Sequence, residues 1–130
     1  MFNKVKEFHE AFGHPINKEP DAKEIDLRID LISEEHKEVQ DELNDLWDMA
    51  YDKDINTNEI KRKLTKELAD LLYVIYGTAV SFGLPLDEVF DRVHKSNMSK
   101  LGDDGKPVYR EDGKVLKGNN YKPVDLSDLF

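Results

Sequence analysis

Cysteine is absent from the 130 residues. That excludes disulfide frameworks and thiolate metal sites. Long apolar runs are missing too; none approaches the roughly 20 residues of a membrane-spanning helix. Positive charge is in the minority: 19 Lys and Arg face 28 Asp and Glu, for a formal net charge of -9. A protein that coats nucleic acid needs a basic surface to neutralise phosphates, so that class is set aside. No glycine-rich phosphate loop of the Walker type occurs, so any phosphate binding falls to metal and side chains. No signal peptide is visible after Met1. What is present is 38% apolar and 36% charged residues. That suffices for one buried core with most of the charge on helix surfaces. The expectation is one acidic, soluble, cytoplasmic domain over residues 1–130, with no nucleic-acid or membrane partner.

The charge is unevenly spread. Acids crowd Asp21 to Asp54, while Lys95 to Lys122 is basic. Apolar spacing predicts four helices. The first runs from about Phe2 to Phe12, with Val5, Phe8 and Phe12 on one face, stopped by Gly13 and Pro15. The second runs from about Ala22 to Tyr51, with a stripe of Ile25, Ile29, Ile32, Val39, Leu43, Leu46 and Ala50. A polar loop at 52–58 leads into the third, from about Thr57 to Phe82. Its stripe is Ile60, Leu64, Leu68, Leu71, Ile75 and Ala79, and Gly83 suits its C-terminal cap. Pro85 opens the fourth, with Leu86, Val89, Phe90 and Val93, ending near Leu101. Beyond Gly102, the Asp112-Gly113 pair between Val108-Tyr109-Arg110 and Lys114-Val115-Leu116 predicts a short hairpin. The reading is an all-α bundle over about 2–101, followed by a basic extended tail over about 102–130. Val124, Leu126, Leu129 and Phe130 give that tail apolar groups for docking.

The acids beside the core stripes carry the chemistry. Glu34, Glu35 and Glu38 border the second helix's stripe, where an apolar residue is missing. Glu67 and Asp70 interrupt the third in the same way. Antiparallel packing of the two helices brings the pairs face to face. Several carboxylates cannot share a partly buried site uncompensated, and a divalent cation is the natural compensation. Mg²⁺ prefers oxygen ligands and bridges readily to phosphates. Read alone, the acids fit either such a site or a solvated acidic face; two pairs on successive helices favour the former.

The combination Glu34-Glu35-His36-Lys37-Glu38, Glu67-Leu68-Ala69-Asp70 and Asn97-Met98-Ser99-Lys100 resembles the all-alpha nucleoside triphosphate pyrophosphohydrolases. This is the superfamily of MazG, dimeric dUTPases and phosphoribosyl-ATP pyrophosphohydrolase. The tail from Asp104 to Leu126 is similar to a MazG-like subgroup. The resemblance implies a MazG-like bundle completed by dimerisation, as a homodimer or dimer of dimers. It implies hydrolysis of a nucleotide substrate to the monophosphate and pyrophosphate with Mg²⁺, for which Mn²⁺ substitutes. By position, Glu35, Glu38, Glu67 and Asp70 match the metal ligands. Glu34 matches a residue that helps hold metal or orient the attacking water, which makes Glu34 and Glu35 the catalytic candidates. Asn97 and Lys100 match the phosphate-binding pair. House-cleaning of the nucleotide pool is the preferred role. Alternatives are a phosphoribosyl-ATP pyrophosphohydrolase, a dUTPase-like enzyme, or a noncatalytic helical interaction module.

Other features are read conservatively. His9 and His14 do not form a His-Glu-x-x-His zinc motif and are taken as non-catalytic. The stretch from Asp52 suggests an EF-hand loop but has Thr57 at its sixth position and Lys63 at its twelfth, so it is rejected. Trp47, Tyr73 and Tyr76 are expected in the core rather than stacked on a base. Ala69 and Gly77 are expected to allow close helix packing. Lys63 and Lys66 are expected to be solvated, with Lys63 within reach of a phosphate. Asp41, Asp45, Asp48 and Asp52 are expected as an exposed face.

Overall fold

Phe2–Phe12 forms α1, which ends where Gly13 turns into the left-handed region at φ 70°. Glycine takes that conformation without steric penalty, so it closes the helix. The computed structural model describes residues 1–51 and 57–130. Among these, α2 spans Ala22–Met49, α3 Asn58–Phe82 and α4 Leu86–Met98, followed by two short strands, β1 (Val108–Tyr109) and β2 (Val115–Leu116). The mostly helical chain bears out the all-α expectation. No single described helix is long and apolar enough to cross a membrane. The EF-hand comparison, Asp52, and most of the 52–58 loop fall outside the described residues.

The described residues form two compact units, Met1–Leu84 and Pro85–Phe130. In the first, α3 packs on both α1 and α2. Asp21 caps α2 by accepting from the Glu24 amide at 2.9 Å, the usual service of a short polar residue at a helix start. α2 and α3 run antiparallel: Arg28 reaches Ser81 and lies against Gly77, while farther along α2 Glu38 meets Glu67 near the start of α3.

The inner face of α2 differs from the expected stripe. Glu24, Arg28 and Val39 are buried, whereas Ile25, Ile29 and Leu43 are exposed, Ile29 by 56%. The reason is a buried ionic network that takes the inward positions of the first turns. Arg28 Nε donates to Glu24 Oε1 at 2.8 Å and Arg28 Nη2 to Ser81 Oγ at 2.7 Å. Ser81 Oγ donates in turn to Glu24 Oε1 at 3.1 Å. The apolar residues are displaced by one position onto an outer stripe that continues through Trp47 and Tyr51, 65% and 76% exposed. Trp47 is therefore not a core residue of this chain; it packs edge-on against Tyr51. Tyr76 is buried as expected, and Tyr73 is 41% exposed. Leu68 of α3 is also exposed. Gly77 performs its expected role: a Cβ there would stand 3.0 Å from Arg28 Nη1 and 3.4 Å from His9 Nε2. His9 is a buried core residue whose Nδ1 donates to the Pro15 carbonyl at 2.8 Å.

In the second unit, α4 ends at Met98, three residues before the expected boundary. Ser99 diverts the chain: its hydroxyl donates to the Ser96 carbonyl at 2.7 Å and accepts from the Lys122 amide at 2.8 Å. Lys100 thus lies just past the helix rather than on it. The tail is stitched to α4 by Ser96 Oγ donating to the Lys122 carbonyl at 2.7 Å and by Arg92, which pairs with Asp128 and donates to the Asp125 carbonyl at 3.0 Å. The hairpin forms where expected, with Val108 opposite Leu116 and Tyr109 opposite Val115. Gly113 at φ 85° supplies the left-handed residue of the segment joining the two strands.

Candidate metal centre

The i, i+3 spacing puts Glu35 and Glu38 on one side of α2, and antiparallel packing brings Glu67 of α3 opposite them. One oxygen from each of Glu35, Glu38 and Glu67 lies within 4.8 Å of the others. Glu35 Oε2 is shut off from solvent and has no hydrogen-bond partner among the described residues. Burial, with the nearby negative charge of Asp70, pushes the Glu35 carboxyl up from its ordinary value. The Glu38 carboxyl is pushed up by a hydrogen bond with Glu67, by burial, and by the charges of Glu67 and Glu35. Such a crowd of oxygens, with an orphaned one among them, is short of positive charge. It offers oxygen alone as a ligand atom, which suits a hard divalent cation.

Asp70 does not join the group of three. It pairs with Lys66, whose Nζ lies 2.8 Å from Asp70 Oδ2 and 3.0 Å from Glu67 Oε2. These pairings hold the Lys66 ammonium above its ordinary value. Lys66 is exposed, as expected, and is in addition an ion-pair partner of two of the acids. The signal lay in the sequence, since Lys66 precedes Asp70 by four residues on a helix. Lys63 pairs at 3.9 Å with Glu59. Glu34 is exposed, and its charge adds to the upward push on Glu35. Asn97 and Lys100 belong to the second unit, where Lys100 Nζ donates to Asn97 Oδ1 at 2.8 Å. Glu42 was given no site role in the sequence, yet its Oε2 is buried and, among the described residues, unpartnered like that of Glu35. Asp41 is exposed and paired with Lys37 at 2.6 Å.

A cavity of about 370 Å³ lies among Phe8, His9, His14, Arg28 and Tyr73, and reaches Leu31 and Val74. Leu31 precedes Glu35, and Val74 follows Asp70, by one helical turn, a rise of about 6 Å. The cavity thus adjoins the acids along both helices. Its walls combine aromatic residues with an arginine and two histidines.

A sequence profile of the family described as phosphoribosyl-ATP pyrophosphohydrolase matches residues 5–97. An uncharacterised protein of Acanthamoeba polyphaga mimivirus is 29% identical over 123 residues, covering 89% of this chain and 41% of that protein. The chain therefore spans about two fifths of the length of this curated relative. Among solved structures, a protein of Exiguobacterium sp. 255-15 provisionally named an NTP pyrophosphohydrolase is similar. It has 26% identity and a TM-score of 0.45, with 94% of this chain and 88% of that chain covered.

Proposed function

The chain belongs to the phosphoribosyl-ATP pyrophosphohydrolase family, and from that premise we propose that it hydrolyses a nucleoside triphosphate between the α and β phosphates, giving the monophosphate and pyrophosphate. The observation that carries this reading is the clustering of Glu35, Glu38 and Glu67 around an orphaned buried oxygen within the matched span. Glu35, Glu38 and Glu67 would hold Mg²⁺ or Mn²⁺, with Asp70 as the fourth ligand. The bound ion supplies neutralising charge for the phosphate oxygens and Lewis acidity at the reacting centre.

The side chains supply the rest. Glu35, whose second carboxylate oxygen is free to face a bound water, is assigned to take the proton of the attacking water. Exposed Glu34 next to it orients that water from the solvent side. The water oxygen bonds to the α-phosphorus, the bond from the α-phosphorus to the bridging oxygen breaks, and pyrophosphate departs. The cavity beside the acids takes the nucleoside, with Phe8, His14 and Tyr73 offering ring faces. On the Asn-x-x-Lys motif, Asn97 and Lys100 are assigned to phosphate oxygens. The exposed outer stripe of α2 (Ile25, Ile29, Leu43 and Trp47) is assigned to a second copy of the chain. A homodimer or dimer of dimers follows, working as a cytoplasmic nucleotide-pool enzyme.

The test is a phosphate-release panel of the common NTPs and dNTPs with Mg²⁺ or Mn²⁺, with and without inorganic pyrophosphatase. Phosphate appearing only with pyrophosphatase supports α–β cleavage, and the ranking identifies base and sugar. Glu38→Ala and Asp70→Ala should be silent while remaining folded; undiminished turnover in either sinks the metal-site reading. The description of the matched family favours phosphoribosyl-ATP as a second substrate, which joins the panel beside dUTP. Silence on every substrate would leave a noncatalytic helical module as the reading.

A further inference from the structure

We propose that Lys66 is a displaceable internal counter-ion of the carboxylate site, occupying Asp70 and Glu67 until a divalent cation takes its place. The inference rests on the metal-site reading above and concerns how that site is poised before the ion arrives.

The geometry is specific. Lys66 Nζ reaches Asp70 Oδ2 at 2.8 Å and both Glu67 oxygens at 3.0 and 3.2 Å. One ammonium thus bridges the two acids that α3 contributes. The three oxygens that converge for a cation come from Glu35, Glu38 and Glu67. Asp70, which matches the fourth ligand, stands outside that group, and Lys66 holds both it and Glu67.

A lone pair that accepts an ammonium N–H is not donated to a metal ion at the same time. Two cations around one carboxylate pair also repel each other. Entry of a divalent ion and retention of the Lys66 contacts are therefore in competition. The residue type fits the part. An ammonium is a compact, strongly hydrated charge on a flexible stem, whereas a guanidinium would clamp the carboxylates through a rigid fork. The Lys66 side chain is 64% exposed. Its head therefore withdraws into water without disturbing the α2–α3 packing. In the metal-free protein the lysine offsets part of the repulsion among the acids, and the site spends less of its stability on staying open.

The experiment measures Mn²⁺ binding to the full chain by electron paramagnetic resonance, without nucleotide and at low ionic strength. Wild type, K66M, K66Q and K66R are compared, with far-UV circular dichroism as the check on folding. K66M and K66Q should bind Mn²⁺ about three- to fivefold tighter than wild type, the range expected for removing an exposed competing charge. Added salt should narrow that gap, because it screens the lysine. K66R should bind no tighter than wild type. Folded K66M and K66Q with affinity equal to or weaker than wild type would overturn the proposal, as would tighter binding by K66R. Absence of Mn²⁺ binding by wild type would overturn the metal reading itself, an outcome distinct from unaltered affinity in the variants.

Discussion

Arg28 offers a sharp test of how the first unit is held together. The residue is 6% exposed, and its guanidinium satisfies Glu24, itself 8% exposed, together with the hydroxyl of fully buried Ser81. Substitution by Met keeps the stem and removes the charge. Among the described residues, Glu24 is then left with the Ser81 hydroxyl, at 3.1 Å, as the donor to its buried carboxylate. Breaking a buried pair from one side costs about 3–5 kcal/mol. For a unit of this size each kcal/mol lowers Tm by at least about 4 °C, so R28M should fall by about 12 °C or more. Replacing both partners, as Glu24→Leu with Arg28→Met, removes the stranded charge and should recover more than half of the loss. Acid adds a second readout. Burial pushes the Glu24 carboxyl up, but the Arg28 and Ser81 hydrogen bonds and the Arg28 charge outweigh it, leaving the carboxyl below its ordinary value. The associated stability is present above the unfolded carboxylate range and is lost as pH falls through the lower folded value. R28M should lose less on acidification than wild type. Urea and thermal unfolding followed by circular dichroism measure all of this. A loss under about 1 kcal/mol in R28M, or a double variant as unstable as the two single losses added, refutes the reasoning.

Three further outcomes are expected. Gly77→Ala should destabilise by about 1–2 kcal/mol, because the new methyl meets an Arg28 head that Glu24 and Ser81 hold in place; in the R28M background the penalty should vanish, as unfolding midpoints would record. Glu35 and Glu38 bind protons more readily folded than unfolded, so their contribution is fully present below the ordinary carboxylate range and lost as pH rises through the raised folded values. Chelator-treated protein should therefore show a Tm that declines across that window, and Mg²⁺ should raise Tm most on the alkaline side; an unchanged alkaline limb would place the ion elsewhere. Lys100→Ala should weaken triphosphate binding in calorimetry while leaving Mn²⁺ affinity intact; equal loss of both, or of neither, counts against a phosphate role.

Much of this was legible because local chemistry was decisive. Gly13 and Gly83 end α1 and α3 with φ of 70° and 69°, as their positions after apolar runs suggested. Asp112-Gly113 fixed the hairpin. The acids stood out because they broke an apolar period at matching places on successive helices. The misreadings share a long-range cause. Hydropathy assigns charge to the outside, so it placed Ile25 and Ile29 inward; the Glu24–Arg28–Ser81 network that reverses this joins residues more than fifty positions apart. The end of α4 is set by contacts with Lys122, far down the chain. A single sequence likewise does not separate an apolar stripe that meets its own core from one that stays exposed, which is why Trp47 was misplaced. Lys66 was read as solvated because surface lysines are common, and its pairing was left out although its spacing from Asp70 was visible.

The central claim is tested most directly by the site of water attack. The best substrate of the panel is hydrolysed with Mg²⁺ in heavy-oxygen water, and the products are analysed by mass spectrometry. The account predicts the label in the nucleoside monophosphate and none in pyrophosphate, with no turnover by Glu38→Ala. Label in pyrophosphate, or label in inorganic phosphate with a nucleoside diphosphate as the other product, would contradict it.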